Sequence, residues 1–288
     1  MTTSVTTTVI DQSSDAGFRA WIAEFISMLT TAGLVQTSDT GQINTTTVTR
    51  PATNTSAGYA IFQMNDSQQS AAPILIRFNF GSGSAITTPL ITCQVGTATN
   101  GAGTLSGGDS ATTYTICNVP PGNTTTACNS YACAVDGCFW ISWKNNGSGT
   151  TGGLPMAMFF LARYTDSTGA PTSGGYSTLF SSNTTSLSQG RSFNFSTSTA
   201  FAASTLASMG AQSAWARTTS LVSGVPQVYQ MNYITPRVLP HNFAGCVLSA
   251  EVGLGVQYQA TMTGSTTRNY LDSALTGISG TGLGMIWE

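Results

Sequence analysis

The chain has 288 residues, a formal net charge of −2 and only 7% Asp, Glu, Lys and Arg, against about 25% in ordinary soluble domains. Its hydrophobic content of 41% supplies a core and excludes disorder driven by charge. The charge balance also excludes the basic footprint of a nucleic-acid or anionic-membrane binder. Ser and Thr stand where charge normally stands. The surface expected is one of hydroxyls, amides and small apolar groups, which a second subunit can cover without stripping water from ions.

Residues 1–12, MTTSVTTTVIDQ, lack a basic start and an apolar core, so no secretory signal is expected. Their Thr/Val alternation suits an extended N-terminal arm that adds a strand to a neighbour's sheet. Residues 13–288 then read as one β-rich domain. Ser13, Ser14 and Asp15 offer N-cap oxygens, and Phe18, Trp21, Ile22, Phe25, Ile26 and Leu29 recur at the spacing of one buried helical face. Gly33 stands where a left-handed residue ends a helix. This predicts a helix over 14–32 that packs through Phe18, Trp21, Ile22, Phe25 and Leu29.

Everything after it reads as strand and turn. Residues 73–80 alternate Ile74, Ile76, Phe78 and Phe80 on one face. Further strands are predicted at 57–64, 90–95, 112–119, 138–144, 155–164 and 177–180, then at 227–234, 246–254, 255–262 and 283–287. Thr supports them, because its branched carbon fits a half-exposed pleat. Gly/Ser/Asn clusters at 81–84, 100–103, 145–147 and 172–175 supply the turns. The expected fold is mainly β, an antiparallel sandwich or jelly-roll-like domain with one amphipathic N-terminal helix. The longest apolar run, residues 154–162, is too short to span a bilayer.

Residues 97–111 read as loop, and 118–137 as an insert with its own cysteines. The stretch 181–224 is weakly patterned; Phe193, Phe195 and Phe201 are either strand residues or anchors of an arm on another subunit. Cys117, Cys128, Cys133 and Cys138 form a candidate disulfide or thiol cluster, the last three spaced C-x4-C-x4-C. Zinc is the alternative, but structural zinc signatures usually carry tight pairs such as C-x2-C, so no metal is expected. Cys93 and Cys246 lie in apolar strands and read as small core residues.

Little else carries chemistry. His241 stands alone, and the acids Asp136, Asp166, Glu251 and Asp272 are scattered singly, so neither a Ser-His-Asp triad nor a carboxylate pair stands out. Residues 101–107, GAGTLSG, come within one residue of a dinucleotide fingerprint, yet no periodic helix follows; the stretch reads as a flexible loop. Trp21, Trp140 and Trp143 sit in apolar patterns that suit core or subunit contacts better than sugar stacking. The Asn-x-Ser/Thr triplets at Asn44, Asn54, Asn65, Asn123, Asn146, Asn183 and Asn194 follow from abundant Asn and Thr. No catalytic residue and no cofactor is expected.

One string of residues is distinctive. Phe18-Arg-Ala-Trp21 leads into residues 32–43, AGLVQTSDTGQI, then Val48-Thr-Arg-Pro51, Gly58-Tyr-Ala-Ile-Phe62, residues 72–78, APILIRF, and residues 100–107, NGAGTLSG. This order resembles a group of uncharacterised virion structural proteins of tailed bacteriophages. Arg268-Asn-Tyr-Leu271 and the final Gly284-Met-Ile-Trp-Glu288 are similar to the endings of the same proteins. The resemblance implies a virion subunit of the tail or baseplate, or a head decoration protein, made in the host cytoplasm. Its partners would be copies of itself and other virion proteins, with a host-surface glycan as the rival ligand. The group has no catalytic residues to carry over.

Overall fold

The computed structural model describes the backbone of residues 2–117, 125–145, 155–166, 168, 170–181, 189–196, 198–204, 228–233, 241–250, 257–261, 267–272 and 281–287. Strand β1 (Thr2–Asp11) leads into α1 (Asp15–Thr31), followed by β2 (Val35–Gln36), β3 (Thr55–Gln63), β4 (Leu75–Ser82) and β5 (Pro89–Gly96). The short β6 (Ala98–Thr99) and β7 (Leu105–Ser106) precede β8 (Asp109–Cys117), β9 (Thr125–Val135), β10 (Cys138–Asn145) and β11 (Pro155–Thr165). Next come β12 (Pro171–Ser181), β13 (Gln189–Asn194), β14 (Thr199–Ser204), β15 (Val228–Tyr233) and β16 (His241–Ala250). The last strands are β17 (Gln257–Thr261), β18 (Thr267–Asp272) and β19 (Thr281–Ile286). The chain is mainly β and antiparallel, with one helix among the described residues, as its composition and periodicity led us to expect.

The strands form a seven-stranded sheet in the order β1-β9-β10-β11-β12-β13-β14, five-stranded sheets β2-β3-β4-β5-β8 and β15-β16-β19-β18-β17, and the pair β6-β7. The helix starts where expected: Ser14 is extended at φ −143° and its hydroxyl accepts from Gly17 N. It ends at Ala32 with Gly33 at φ +114°, a conformation that only glycine adopts cheaply. Phe18, Trp21, Ile22, Phe25, Met28 and Leu29 are all buried. They lie against the β2-β3-β4-β5-β8 sheet, hereafter the five-stranded sheet, with Trp21 edge-on to Phe80 at 6.1 Å and Phe25 edge-on to Phe78 at 5.6 Å. Beyond the helix the two sheets meet directly, Phe78 against Phe159 of β11 at 6.4 Å.

Period-two geometry then divides the seven-stranded sheet. Ala132, Phe139, Ile141, Phe159 and Leu161 face this shared core. The alternate residues face the other way, where Trp287 packs on Trp140 at 5.8 Å and on Tyr131 at 6.2 Å and where β16 lies against β11.

Two expectations are corrected. Residues 2–11 do not wait for a neighbour: they pair residue for residue with β9 of the same chain, Thr2 with Ala134 through Asp11 with Thr125. An alternating, uncharged segment satisfies its backbone on the first suitable edge, and β9 presents one. Nor is 118–137 an insert, since its residues 125–135 are a strand paired on both sides, with β1 and with β10. The two-residue turn Asp136-Gly137, with Gly137 at φ +76°, joins β9 to β10. Residues 118–124 lie outside the described residues.

Candidate functional site

The cysteines do not gather. Cys117 is buried in the core between the helix and the sheets. Cys133 pairs with Trp140 and Cys138 with Val135, so both belong to the face of the seven-stranded sheet turned away from that core. They sit diagonally, one pair out of register, where α-carbons stand about 7–8 Å apart, beyond the usual reach of a disulfide. No disulfide joins Cys93, Cys117, Cys133 or Cys138 to one another. Cys117 therefore does not join Cys133 and Cys138 in the expected cluster, because it belongs to β8 of another sheet and is buried in the core, whereas Cys133 and Cys138 lie on the far face of the seven-stranded sheet. Cys128 pairs through its backbone with Thr8 and Asn145, and its side chain lies outside the described residues. Burial pushes the Cys93 thiol well up, consistent with an inert core residue. Among the described residues no group of three or more His, Cys, Asp or Glu side chains is placed to hold a metal ion.

Three polar centres, none singled out from the sequence, hold the described layers together. In the first, Arg163 of β11 reaches across to the β3–β4 connection. Its Nε stands 2.7 Å from Asp66 Oδ2, Nη1 donates to Ala72 O at 2.8 Å and Nη2 to Gln69 Oε1 at 3.3 Å. The guanidinium lies 5.9 Å from the Phe195 ring centre. Asp136, in the β9–β10 turn, accepts from Ser67 N at 2.8 Å and so ties the same connection to the seven-stranded sheet.

The second centre joins β8 to β12 and β13. Asp109 is 4% exposed, and Arg191 Nη1 donates to its Oδ1 at 2.7 Å. Thr112 Oγ1 donates to Oδ1 at 2.7 Å and the Tyr114 hydroxyl to Oδ2. The Tyr176 hydroxyl accepts from Asp109 N at 3.2 Å. Burial raises the Asp109 carboxyl, against the opposing pull of Thr112 and Arg191, and burial likewise pushes the Tyr176 phenol above its ordinary range. An acid whose oxygens are both engaged by neighbours in two sheets is a bridge between layers.

The third centre pins β6 and β7 over the outer face of the five-stranded sheet, where Leu105 packs on Ile61 and Leu75. Asp39 accepts from Thr37 Oγ1 at 2.6 Å, from Thr99 Oγ1 and from Gly103 N at 3.3 Å. Burial opposes ionisation of Asp39, but these hydrogen bonds together outweigh it and hold the carboxyl below its usual range. The Tyr59 hydroxyl donates to Thr40 O at 2.7 Å, and the Arg77 guanidinium lies 4.4 Å from the Tyr59 ring centre. Gly103, at φ +97°, lies against the Tyr59 hydroxyl, where a β-carbon has no room. Residues 101–107 are therefore a pinned flap and not the free loop expected from their glycines.

The remaining expectations fall as follows. Phe193 is buried in β13 and stacks near Tyr176 at 5.1 Å, a strand residue of its own chain. Asp166 accepts from Thr168 N and Ala170 N and closes its own turn. His241 opens β16 and Asp272 ends β18, but their side chains, like those of Cys246, Trp143 and Phe201, lie outside the described residues, as does Glu251. Among the described residues no aromatic side chain is exposed; the exposed large apolar residues are Val35 and Ile86.

The bridging residues were hard to see in the sequence because Arg163 and Asp66 stand 97 positions apart and Arg191 and Asp109 stand 82 apart. One signal was present. A lone arginine inside the apolar strand PMAMFFLARYT must find a buried partner somewhere. No protein-family model, curated protein or solved structure matches the chain.

Proposed function

We propose that this chain is a structural subunit of a tailed-bacteriophage virion, associated with the tail or baseplate, acting through subunit contacts and not through catalysis. The observation that carries the reading is how the scarce charge is used. Arg19 donates to Val48 O, Arg50 to Gln12 O, and Arg77 lies on Tyr59. Arg163 and Arg191 pair with Asp66 and Asp109. Each of these cations is engaged within the chain, so the surface left to neighbours is rich in hydroxyls and amides and poor in repelling charge. A freely diffusing protein normally keeps mixed charge outside; a subunit embedded among others does not need it.

The resemblance of residues 18–107 and 268–288 to phage virion proteins supports the same reading. Burial of the described aromatic rings favours it over a glycan-binding platform, which stacks sugars on exposed rings. The test is mass spectrometry of purified particles with copy numbers. A tail-ring stoichiometry is expected. A copy number comparable with the major head protein would assign the chain to head decoration instead, and its absence from particles would overturn the proposal.

A further inference from the structure

We infer that Arg77 of one copy receives Glu24 of the next, in a head-to-tail contact between the outer face of the five-stranded sheet and the exposed side of α1. This inference rests on reading the chain as an assembly subunit and names the surface and the partner.

Arg77 is a fork of donors without an acceptor. The other arginines with described side chains, Arg19, Arg50, Arg163 and Arg191, each give N–H groups to oxygens of the chain. Among the described residues Arg77 gives none: it is held by the Tyr59 ring, 4.4 Å from the guanidinium, and its Nε is buried with no hydrogen-bond partner. Its neighbours on that face do not serve it. Ile61 has no polar side-chain atom, the Gln94 amide nitrogen donates to Ser110 O at 3.0 Å, and that of Asn79 donates to Thr92 Oγ1 at 3.1 Å.

The site is set up to take a carboxylate. The ring fixes the plane of the guanidinium, and the Tyr59 hydroxyl is itself anchored on Thr40 O. Arg77 is half-buried, and burial lowers its pKa from the ordinary value, with Tyr59 opposing. A cation that has already lost part of its water gains more from an arriving carboxylate than a fully solvated arginine does. Its planar fork matches the two oxygens of that group.

Glu24 is the complementary group. Every aspartate whose side chain is described accepts a hydrogen bond within the chain. Glu24 is exposed and accepts none. The two cannot meet inside one chain. Arg77 alternates with Ile76 and Phe78, which face the core, so it belongs to the opposite face of the sheet. Glu24 stands on the side of α1 turned away from the buried residues that pack on that sheet. Helix and sheet lie between them. A contact that uses different patches on its two partners is heterologous, and it closes into a ring when the rotation per copy divides a full turn. With only 7% charged residues, little else on either surface repels the neighbour.

The test is the oligomeric state of the full chain, followed by light scattering across a dilution series, with folding checked by circular dichroism. The parent should assemble, and Arg77→Glu and Glu24→Arg should each weaken assembly about tenfold or more, because like charges then face each other. In an equimolar mixture each variant supplies the charge that the other lacks, so assembly should return, as it should in the double reversal. A parent that stays monomeric, or either single reversal assembling like the parent, would overturn the inference. So would a folded mixture or a folded double reversal that fails to reassemble. If a reversal unfolds the chain, Glu24→Gln decides, since a neutral change at an exposed helix position leaves the fold intact. It should weaken assembly several-fold, and assembly equal to the parent's would refute the contact. Monomers in solution from a chain found in particles would refute this contact and spare the virion reading. A Glu24–Arg77 assembly of a chain absent from particles would do the reverse.

Discussion

Arg163 and Asp66 meet at 2.7 Å with both side chains withdrawn from solvent, so a strand of one sheet and a connection of another share one fully buried ion pair. Such a pair contributes little beyond a well-packed apolar substitute, but removing one partner strands the other charge in the interior. Asp66→Ala and Arg163→Met should each destabilise the protein by about 3–5 kcal/mol in urea unfolding. The double variant should cost clearly less than the two combined. Additive losses would mean that the two groups are not coupled.

The helix face gives a second prediction. Trp21 is 1% exposed and lies among Phe18 and Phe80. Trp21→Ala should cost about 3–5 kcal/mol, whereas Ala23→Ser on the exposed side should stay within about 0.5 kcal/mol of the parent. A Trp21→Ala variant that melts with the parent would show that α1 does not pack on the five-stranded sheet.

Two acids should bend the pH dependence of stability in opposite directions. The folded-state pKa of Asp39 is lowered from 3.8, so its contribution is present above that value and is lost as pH falls through the lower folded value. The parent-minus-variant stability difference for Asp39→Asn should therefore shrink on acidification below about pH 4. Asp109 is raised from 3.8, so its contribution is full below that value and is lost as pH rises through the folded one. For Asp109→Asn the same difference should fall as pH rises from 4 towards neutrality. Parallel curves for the two variants would contradict both assignments.

Cys133 and Cys138 are 0% and 2% exposed on diagonal strand positions. Native protein should resist alkylation at both until it is denatured, and peptide mapping without reductant should recover no peptide that links them. A Cys133–Cys138 crosslink in the native protein would require a different β9–β10 register.

How far the sequence could be read depended on the distance over which each feature is set. The helix was legible because its signals are local: Ser14 caps it, the apolar stripe recurs every turn, and Gly33 ends it. Most long strands were legible for the same reason, as with the alternation of Ile74, Ile76, Phe78 and Phe80. β9 was missed although Asp136-Gly137 marked its turn, because its cysteines suggested a stapled loop and its apolar residues are mostly small.

What only the tertiary structure decided is partnership. A period-two pattern says that a segment will be a strand but not whose edge it joins, so residues 2–11 suited a neighbour's sheet and their own equally well. The same limit hid the bridging polar residues. An isolated aspartate such as Asp66 or Asp109 looks like any surface acid, and its burial and ion pair arise only when folding brings an arginine from far along the chain. Short-range sterics and hydrogen bonding are written residue by residue, whereas the meeting of Asp66 with Arg163, and of Asp109 with Arg191, depends on how whole sheets stack. The cysteines show this most plainly: their spacing suggested one cluster, and the stacking of two sheets put Cys117 in the core and Cys133 and Cys138 on the far face of the seven-stranded sheet.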